Sequence, residues 1–195
     1  DFACTTALVG AATSLGIENM AEKCLQGRGV LVDLHAHFGT KKYAVGYDDF
    51  MRILEQDKVV VEKGDMLLLH TGWTGLIMQM NKHPDMQVLD NSCVGLDGRD
   101  DKLLQWISDS GIAALIADNY AVEYWPPKPR EGKRAMIPLH EHCLFKLGIP
   151  LGEIWWLQDL AVWLRKNQRS RFLLTAPPLR LPGAIGSPAT PVATV

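Results

Sequence analysis

The stretch GDMLLLHTGW, residues 64–73, decides the fold class of this chain. A Gly-Asp turn precedes an apolar run from Met66 to Leu69, and polar and aromatic residues follow from His70 onward. A short apolar run that is bounded by turn residues is typical of a buried strand. We therefore predict a strand from Met66 to His70, which a tight turn connects to a shorter strand over residues 58–62.

Helical and strand patterns alternate on both sides of this stretch. Apolar residues spaced three or four apart predict helices, and short apolar or β-branched runs predict buried strands. The predicted helices cover residues 14–26, 48–54, 98–111 and 157–168, and the predicted strands cover residues 28–39, 112–119 and 170–181. Asp48 and Asp49 are expected to cap the second helix. This alternation favours an α/β layered domain with a mixed or mostly parallel, mostly buried sheet flanked by helices.

The composition is that of a globular protein without a strong charge bias. The chain has 195 residues, a net charge of -2 and 47% hydrophobic residues. This charge gives no reason to expect nucleic acid or an anionic membrane as a partner. No apolar run reaches the roughly 18 residues of a membrane helix, and no secretory signal is visible, so we expect a cytoplasmic protein. The four cysteines form no C-x-x-C pair, which predicts reduced structural cysteines and no zinc ribbon.

Two histidines lie at the end of the strand predicted over residues 28–39. Because side chains alternate along a strand, His35 and His37 would share one face, and with Asp33 they could bind a metal. An H-x-H pair alone is a weak signal. The simpler interpretation is that these polar side chains meet solvent at the end of a strand.

The strand predicted from Met66 to His70 also ends in residues that could line a pocket. Open α/β sheets place ligand contacts at the carboxyl ends of their strands. His70 and Trp73 are therefore pocket candidates, although a turn that feeds an apolar strand is structural by default.

A third candidate site lies in PLHEHCLFKLGIPLGE, residues 138–153. His140 and Glu153 are too far apart for one helical face. The Gly-Ile-Pro segment between them predicts that a helix beginning near His140 ends there and that the chain returns. Such a turn can bring His140 and Glu153 together, and a His nitrogen with a carboxylate oxygen suits Zn²⁺ or Mn²⁺. On spacing alone, an ordinary helix edge is the simpler interpretation.

The order of these segments resembles the cyclase family of metal-dependent hydrolases, which includes bacterial kynurenine formamidases and isatin hydrolases. The resemblance is carried, in the family's order, by residues 15–39, 64–73, 95–123, 138–161 and 172–193. It implies a layered swivelling β/α/β-type domain with a divalent metal, Zn or Mn. It also implies that a metal-activated water attacks an amide, lactam or ester-like small-molecule substrate.

The resemblance also implies roles for individual residues. The family's later metal ligands fall on His140 and Glu153, and His140 is also the candidate catalytic residue. His142 is the alternative, because relatives nearer to the formamidases use a slightly shorter spacing. The family signature H-x-G-T-H-x-D-x-P-x-H should precede the first helix, but the 14 residues there contain no histidine. We therefore expect residues 1–195 to form a single cyclase-like domain that is the C-terminal portion of a longer one.

Two other functions are compatible with the sequence. The missing signature fits a non-catalytic cyclase-like protein or fragment that serves binding or assembly. Alternatively, the tryptophan-rich segment at residues 154–164 could be the interface of a structural interaction module. In each case we expect a homo-oligomer, because a chain without its N-terminal third would expose apolar surface.

Overall fold

The computed structural model of the chain describes Ala12 and residues 14–195. It divides into two compact units, of which the larger is Gly29–Arg171. The smaller unit joins the described part of residues 1–28 to Phe172–Val195. The prediction of a single domain over residues 1–195 stays a prediction, and Cys4 lies outside the described residues.

Helices and strands alternate along the described chain. Helices α1 to α8 are Ile17–Lys23, Leu34–Phe38, Tyr47–Gln56, Trp73–Gln79, Met86–Asp90, Asp101–Ser110, Pro138–His140 and Gln158–Lys166, and α7 continues into a π-helix, Glu141–Leu147. Strands β1 to β8 are Gln26–Asp33, Tyr43–Val45, Met66–His70, Val94–Leu96, Ala114–Ala117, Leu151–Gly152, Arg171–Thr175 and Val192–Thr194. The predicted α/β class is confirmed. None of the helices in the described residues has the length and apolar character needed to cross a bilayer.

Parallel strands form the centre of the larger unit. Strand β3 lies between β1 and β5, and β6 pairs with the other side of β5, all in parallel. Leu67 in the middle strand lies opposite Val30 on one side and Leu115 on the other. Every residue of β3 and β5 is buried, as expected for a parallel sheet with helices on its faces. The predicted buried sheet flanked by helices is therefore confirmed.

The smaller unit contributes an antiparallel pair. Strands β7 and β8 run in opposite directions, with Leu174 opposite Ala193. The strand predicted over residues 170–181 corresponds to β7. Since parallel and antiparallel pairs both occur in the chain, the strand pairing is mixed, as predicted.

Helices α3 and α6 bury their apolar faces in the core of the larger unit. Phe50 and Ile53 of α3 and Leu103 and Ile107 of α6 have no exposed surface. The Phe50 ring also packs edge to face on Trp106, with 5.2 Å between the ring centres. These contacts explain the helical spacing of apolar residues that the sequence shows in both segments.

One aspartate accepts backbone hydrogen bonds at the amino ends of both α3 and α6. Asp100 Oδ1 accepts a hydrogen bond from Lys102 N at 2.9 Å, and its Oδ2 accepts one from Tyr47 N at 2.7 Å. The prediction that Asp48 and Asp49 cap α3 is therefore wrong. Both lie in the first turn of the helix, where a negative charge is favourable beside the positive end of the helix dipole.

The strand predicted over residues 58–62 does not form. Val59 N donates instead to Leu54 O at 2.8 Å, which closes the carboxyl end of α3. Val59 packs in the core from that position. Val59 thus closes the end of α3 and packs in the core, whereas Val60 is exposed. The segment at residues 58–70 therefore contains a turn and a single strand.

The burial of α6 predicts a large effect of truncating Ile107. Ile107→Ala should lower the free energy of unfolding by about 3 kcal/mol, because it leaves a cavity in a packed core. The matched control is Ile185→Ala at a side chain that is 83% exposed, where we expect a change within about 0.5 kcal/mol. Urea denaturation followed by tryptophan fluorescence measures both, and equal effects would contradict the assigned core.

Candidate metal centre

The segment that follows β5 organises the candidate centre. Because β1, β3, β5 and β6 are parallel, the chain leaves each strand at the same edge of the sheet. Residues 118–123 leave β5 there and carry three buried polar side chains, those of Asp118, Asn119 and Glu123. Their hydrogen bonds hold the neighbouring segments in place.

Glu123 fixes the position and orientation of His140. Its carboxylate is almost fully buried and accepts hydrogen bonds from Leu139 N at 3.0 Å and His140 N at 3.2 Å. These two N–H groups lie in the first turn of α7, where no helical carbonyl is available to them. His140 Nδ1 lies 2.8 Å from the same carboxylate. The buried carboxylate is therefore fully hydrogen-bonded, and the ring turns Nε2 away from Glu123.

The end of β5 also positions Glu153. Strand β6 pairs with β5 immediately before this residue. Just after it, Ile154 N donates to Asn119 O at 2.9 Å, and Trp155 N donates to Ala117 O at 3.3 Å. The backbone is thus tied to the same segment on both sides of Glu153.

These constraints bring His140 and Glu153 together. His140 Nε2 lies 2.9 Å from Glu153 Oε1, and both side chains are partly accessible to solvent. The helix, turn and returning segment that the sequence predicts are present as α7 with the π-helix, Gly148 and β6. Long π-helical segments are uncommon and occur frequently at functional sites.

The two carboxylates change the protonation of His140. Hydrogen bonds to Glu123 and to Glu153 raise the pKa of His140 from 6.5 to about 9. The imidazole is therefore protonated at neutral pH in the metal-free protein. A metal ligand must be deprotonated, so binding of a metal at Nε2 has to release this proton.

His140 and Glu153 fit two ligand positions of a metal site. A metal-binding histidine usually presents its second ring nitrogen to a carboxylate, which fixes the ring and its tautomer, and Glu123 has this place at Nδ1. Within Ala12 and residues 14–195, no group of three or more His, Cys, Asp or Glu side chains is arranged to hold a metal. The described residues thus supply fewer protein ligands than a typical zinc site uses.

His142, the alternative ligand, points elsewhere. Its Nε2 lies 3.0 Å from Ser108 Oγ and 2.9 Å from Leu104 O, both on α6. The structure therefore brings His140, and not His142, to Glu153.

His70 is a buried linking residue. It is 1% exposed, with Nδ1 at 2.8 Å from Asp33 Oδ1 and Nε2 at 3.1 Å from Gln158 Oε1. Arg165 bonds the second oxygen of Asp33. His70 thus connects the ends of β1 and β3 to α8 and leaves no ring nitrogen facing an open pocket.

The H-x-H pair does not form the predicted strand end. Strand β1 stops at Asp33, whose carboxylate accepts a hydrogen bond from Ala36 N at 3.1 Å and starts α2. His35 and His37 therefore lie on a helix. His37 Nε2 lies 2.8 Å from Asp57. The Asp33 carboxylate is instead hydrogen-bonded to His70 and Arg165. Asp33, His35 and His37 do not converge, and the expectation that the two histidines share one strand face is wrong.

Trp73 lines a small cavity that is partly open to solvent. The side chain is buried, and its Nε1 donates to Leu89 O at 3.1 Å. The cavity has a volume of about 10 Å³, and Asn119 and Glu123 also line it. Trp73, one of the two pocket candidates, therefore lines a cavity.

Sequence reasoning missed the two buried acids that shape this region. Asp118 is fully buried and accepts hydrogen bonds from Thr71 N at 2.6 Å, Thr71 Oγ1 at 2.7 Å and Gly72 N at 2.8 Å. Its place directly after an apolar run is a usable signal of a strand-end carboxylate. Glu123 carries no such signal, because its partner lies 17 residues away in the chain.

The raised pKa of His140 predicts a pH-dependent stability. Its ordinary value is 6.5 and its folded value is about 9, so the stabilisation is fully present below pH 6.5 and is lost as the pH rises through 9. In protein treated with a chelator, the stability advantage of the parent over His140→Gln should shrink by roughly 2 kcal/mol across this range. Urea denaturation at several pH values measures it.

The control for this experiment is His83→Gln, which replaces an exposed histidine. This variant should keep the pH dependence of the parent. Parallel stability curves for the parent and His140→Gln would show that the two carboxylates do not hold a proton on His140.

Comparison with known proteins places the chain in a family. Residues 6–124 match the Cyclase family model, and comparison with curated proteins finds no match. A crystal structure described as a novel cyclase is 33% identical, with a TM-score of 0.79, and the alignment covers 94% of this chain and 57% of that one.

Two further solved structures share the fold at lower identity. Isatin hydrolase A from Ralstonia solanacearum is 17% identical, with a TM-score of 0.63 and coverage of 91% of this chain and 63% of that one. A potential metal-dependent hydrolase with cyclase activity is 19% identical, with a TM-score of 0.55 and coverage of 87% and 65%. This chain therefore spans less than two thirds of the length of each of these three solved structures. The family match and the 33% identical structure together show that the chain belongs to the cyclase family.

Proposed function

We propose that this chain is part of a metal-dependent hydrolase that acts on an amide, lactam or ester-like small molecule. His140 and Glu153 are the proposed protein ligands of a divalent metal. The observation that carries the proposal is the 2.9 Å approach of His140 Nε2 to Glu153 Oε1, with Glu123 holding Nδ1. Membership of the cyclase family supports the reaction class, since proteins with this fold include isatin hydrolases and a potential metal-dependent hydrolase.

The chemistry of the two side chains supports either zinc or manganese. An imidazole nitrogen and a carboxylate oxygen suit both ions. When bound, such a metal lowers the pKa of a water ligand and polarises the carbonyl of the substrate. The contribution of Glu123 is to keep the proton of the neutral imidazole on Nδ1, which leaves the Nε2 lone pair for the metal. Glu153 supplies a negative charge beside it.

The proposed centre needs at least one more protein ligand than the described residues provide. We therefore expect this chain alone to bind metal weakly. The small-molecule substrate and the homo-oligomeric state stay predictions.

A non-catalytic role in binding or assembly is the second candidate. It is favoured by one observation, that no group of three or more ligands is assembled among the described residues. The two candidates differ in whether the His140 and Glu153 pair takes up metal at all.

Metal binding by point variants tests the proposal. We expect His140→Ala and Glu153→Ala each to weaken Zn²⁺ or Mn²⁺ binding at least tenfold, and Glu123→Gln to weaken it by about 10–100-fold through the orientation of His140. Isothermal titration of metal-depleted protein measures affinity, and elemental mass spectrometry measures the metal that co-purifies. Circular dichroism establishes that each variant is folded.

Matched controls remove the same residue types outside the pair. His83 is exposed, and Glu141 lies in the same segment as His140 but pairs with Lys146 at 3.3 Å. His83→Ala and Glu141→Ala should bind metal as the parent does. A folded His140→Ala variant with unchanged metal affinity would refute the proposed ligands. It would favour the non-catalytic role in binding or assembly.

A further inference from the structure

The segment that carries Glu123 runs alongside β4. Leu96 N donates to Val122 O at 3.2 Å, and Tyr124 N donates to Leu96 O at 2.8 Å. Glu123 itself forms a parallel bridge with Leu96. The place of the carboxylate that holds His140 therefore depends on β4 and on the turn that follows this strand.

Gly98 lies in that turn and is buried. A Cβ atom at this position would lie 2.6 Å from Pro138 Cγ, 2.8 Å from Glu123 Oε2 and 3.2 Å from Leu139 N. These distances are shorter than the roughly 3.5–4.0 Å of an ordinary contact between heavy atoms. A side chain larger than a hydrogen atom would therefore displace at least one of these neighbours.

Space, and not backbone conformation, explains the glycine at this position. The φ angle of Gly98 lies outside the left-handed region, whereas Gly111 at the end of α6 has a φ of 64°. A residue with a side chain could therefore adopt the backbone of Gly98 without strain. The feature that Gly98 supplies is the room beside Glu123 and α7.

The Glu123 carboxylate is the neighbour that can move most readily. Pro138 Cγ belongs to a ring in the first turn of α7, and Leu139 N belongs to the backbone of that turn. Glu123 Oε2 is the end of a side chain, but it accepts the hydrogen bond from Leu139 N at 3.0 Å. Its partner oxygen Oε1 lies 2.8 Å from His140 Nδ1. Because the two oxygens belong to one planar group, a shift of Oε2 also moves Oε1.

We propose that Gly98 is a positioning residue: it leaves open the space in which Glu123 orients His140 for the proposed metal centre. The effect on metal binding rests on the proposed function. The packing of Gly98 against Glu123 and α7 rests on the described contacts alone.

The substitution Gly98→Ala tests this inference through metal affinity. We expect it to weaken Zn²⁺ binding by about tenfold or more, as loss of a carboxylate that orients a metal-binding histidine does. Isothermal titration of metal-depleted protein measures the affinity. A folded Gly98→Ala variant that binds Zn²⁺ as tightly as a metal-binding parent would overturn the inference.

The matched control is Gly46→Ala, which crowds a different carboxylate. A Cβ atom at position 46 would lie 2.6 Å from Asp100 Oδ2, the oxygen that accepts a hydrogen bond from Tyr47 N. This variant should lose stability at the start of α3 but bind Zn²⁺ as the parent does. An equal loss of affinity in both glycine variants would overturn the inference, because general destabilisation would then explain the effect of Gly98→Ala.

A double variant shows whether Gly98 acts through Glu123. Glu123→Gln already removes the charge that orients His140. If Gly98 acts through this carboxylate, Gly98→Ala/Glu123→Gln should bind Zn²⁺ about as weakly as Glu123→Gln alone. Multiplication of the two separate losses would overturn the inference, because it would show that the two residues act independently.

A metal-free crystal structure of Gly98→Ala separates this inference from the proposed function. The inference predicts that the hydrogen bond from Leu139 N to Glu123 Oε2 is broken and that the carboxylate has moved from His140 Nδ1. Retention of both contacts would overturn the inference, whatever the metal affinity. If the contacts are lost but the parent binds no metal at His140, Gly98 is confirmed as the residue that positions His140, and only the proposed metal centre is refuted.

A variant that fails to fold also has a decisive test. Circular dichroism shows whether Gly98→Ala is folded. If it is not, Gly98→Ala/Glu123→Ala removes the carboxylate that the new methyl group meets. Recovery of the folded protein would support the inference, and an unfolded double variant would overturn it.

Discussion

The parallel pairing of β1, β3, β5 and β6 is the constraint on which the candidate centre depends. The carboxyl ends of parallel strands lie at the same edge of the sheet. Segments that are far apart in the sequence therefore meet at that edge. The segment after β5 then acts as a common support. Asp118 holds the loop that follows β3, the carbonyl of Asn119 holds the chain beside Glu153, and Glu123 holds His140. A shift of this one segment would disturb both halves of the candidate ligand pair.

The buried carboxylate of Glu123 gives the pair its electrostatic character. A buried charge is tolerated only where hydrogen bonds and an opposite charge compensate it. Here two backbone N–H groups and the His140 ring do so. In the metal-free protein the same carboxylate, together with Glu153, favours a protonated imidazole. In the proposed centre a proton and a metal therefore compete for His140 Nε2, which makes metal affinity rise with pH.

Elements with strong local signals were predictable from the sequence. The apolar run of β3 and the helical spacing of α6 identified both elements, and the Gly-Ile-Pro turn correctly indicated that His140 and Glu153 could meet. Other features depend on partners far apart in the chain. Asp100 displaces the expected caps of α3 from 53 residues away, and Glu123 reaches His140 across 17 residues. The strand predicted over residues 58–62 failed because Val59 closes the end of α3 and packs in the core, and a local apolar pattern does not distinguish such a helix end from a strand.

The central claim is that His140 and Glu153 bind the same metal ion. Anomalous diffraction at the zinc edge, from crystals of the zinc-soaked protein, tests it most directly. The account predicts a single strong peak within about 2.0–2.2 Å of both His140 Nε2 and a Glu153 carboxylate oxygen. A peak at the other histidines only, or no peak beside this pair at saturating zinc, would contradict it.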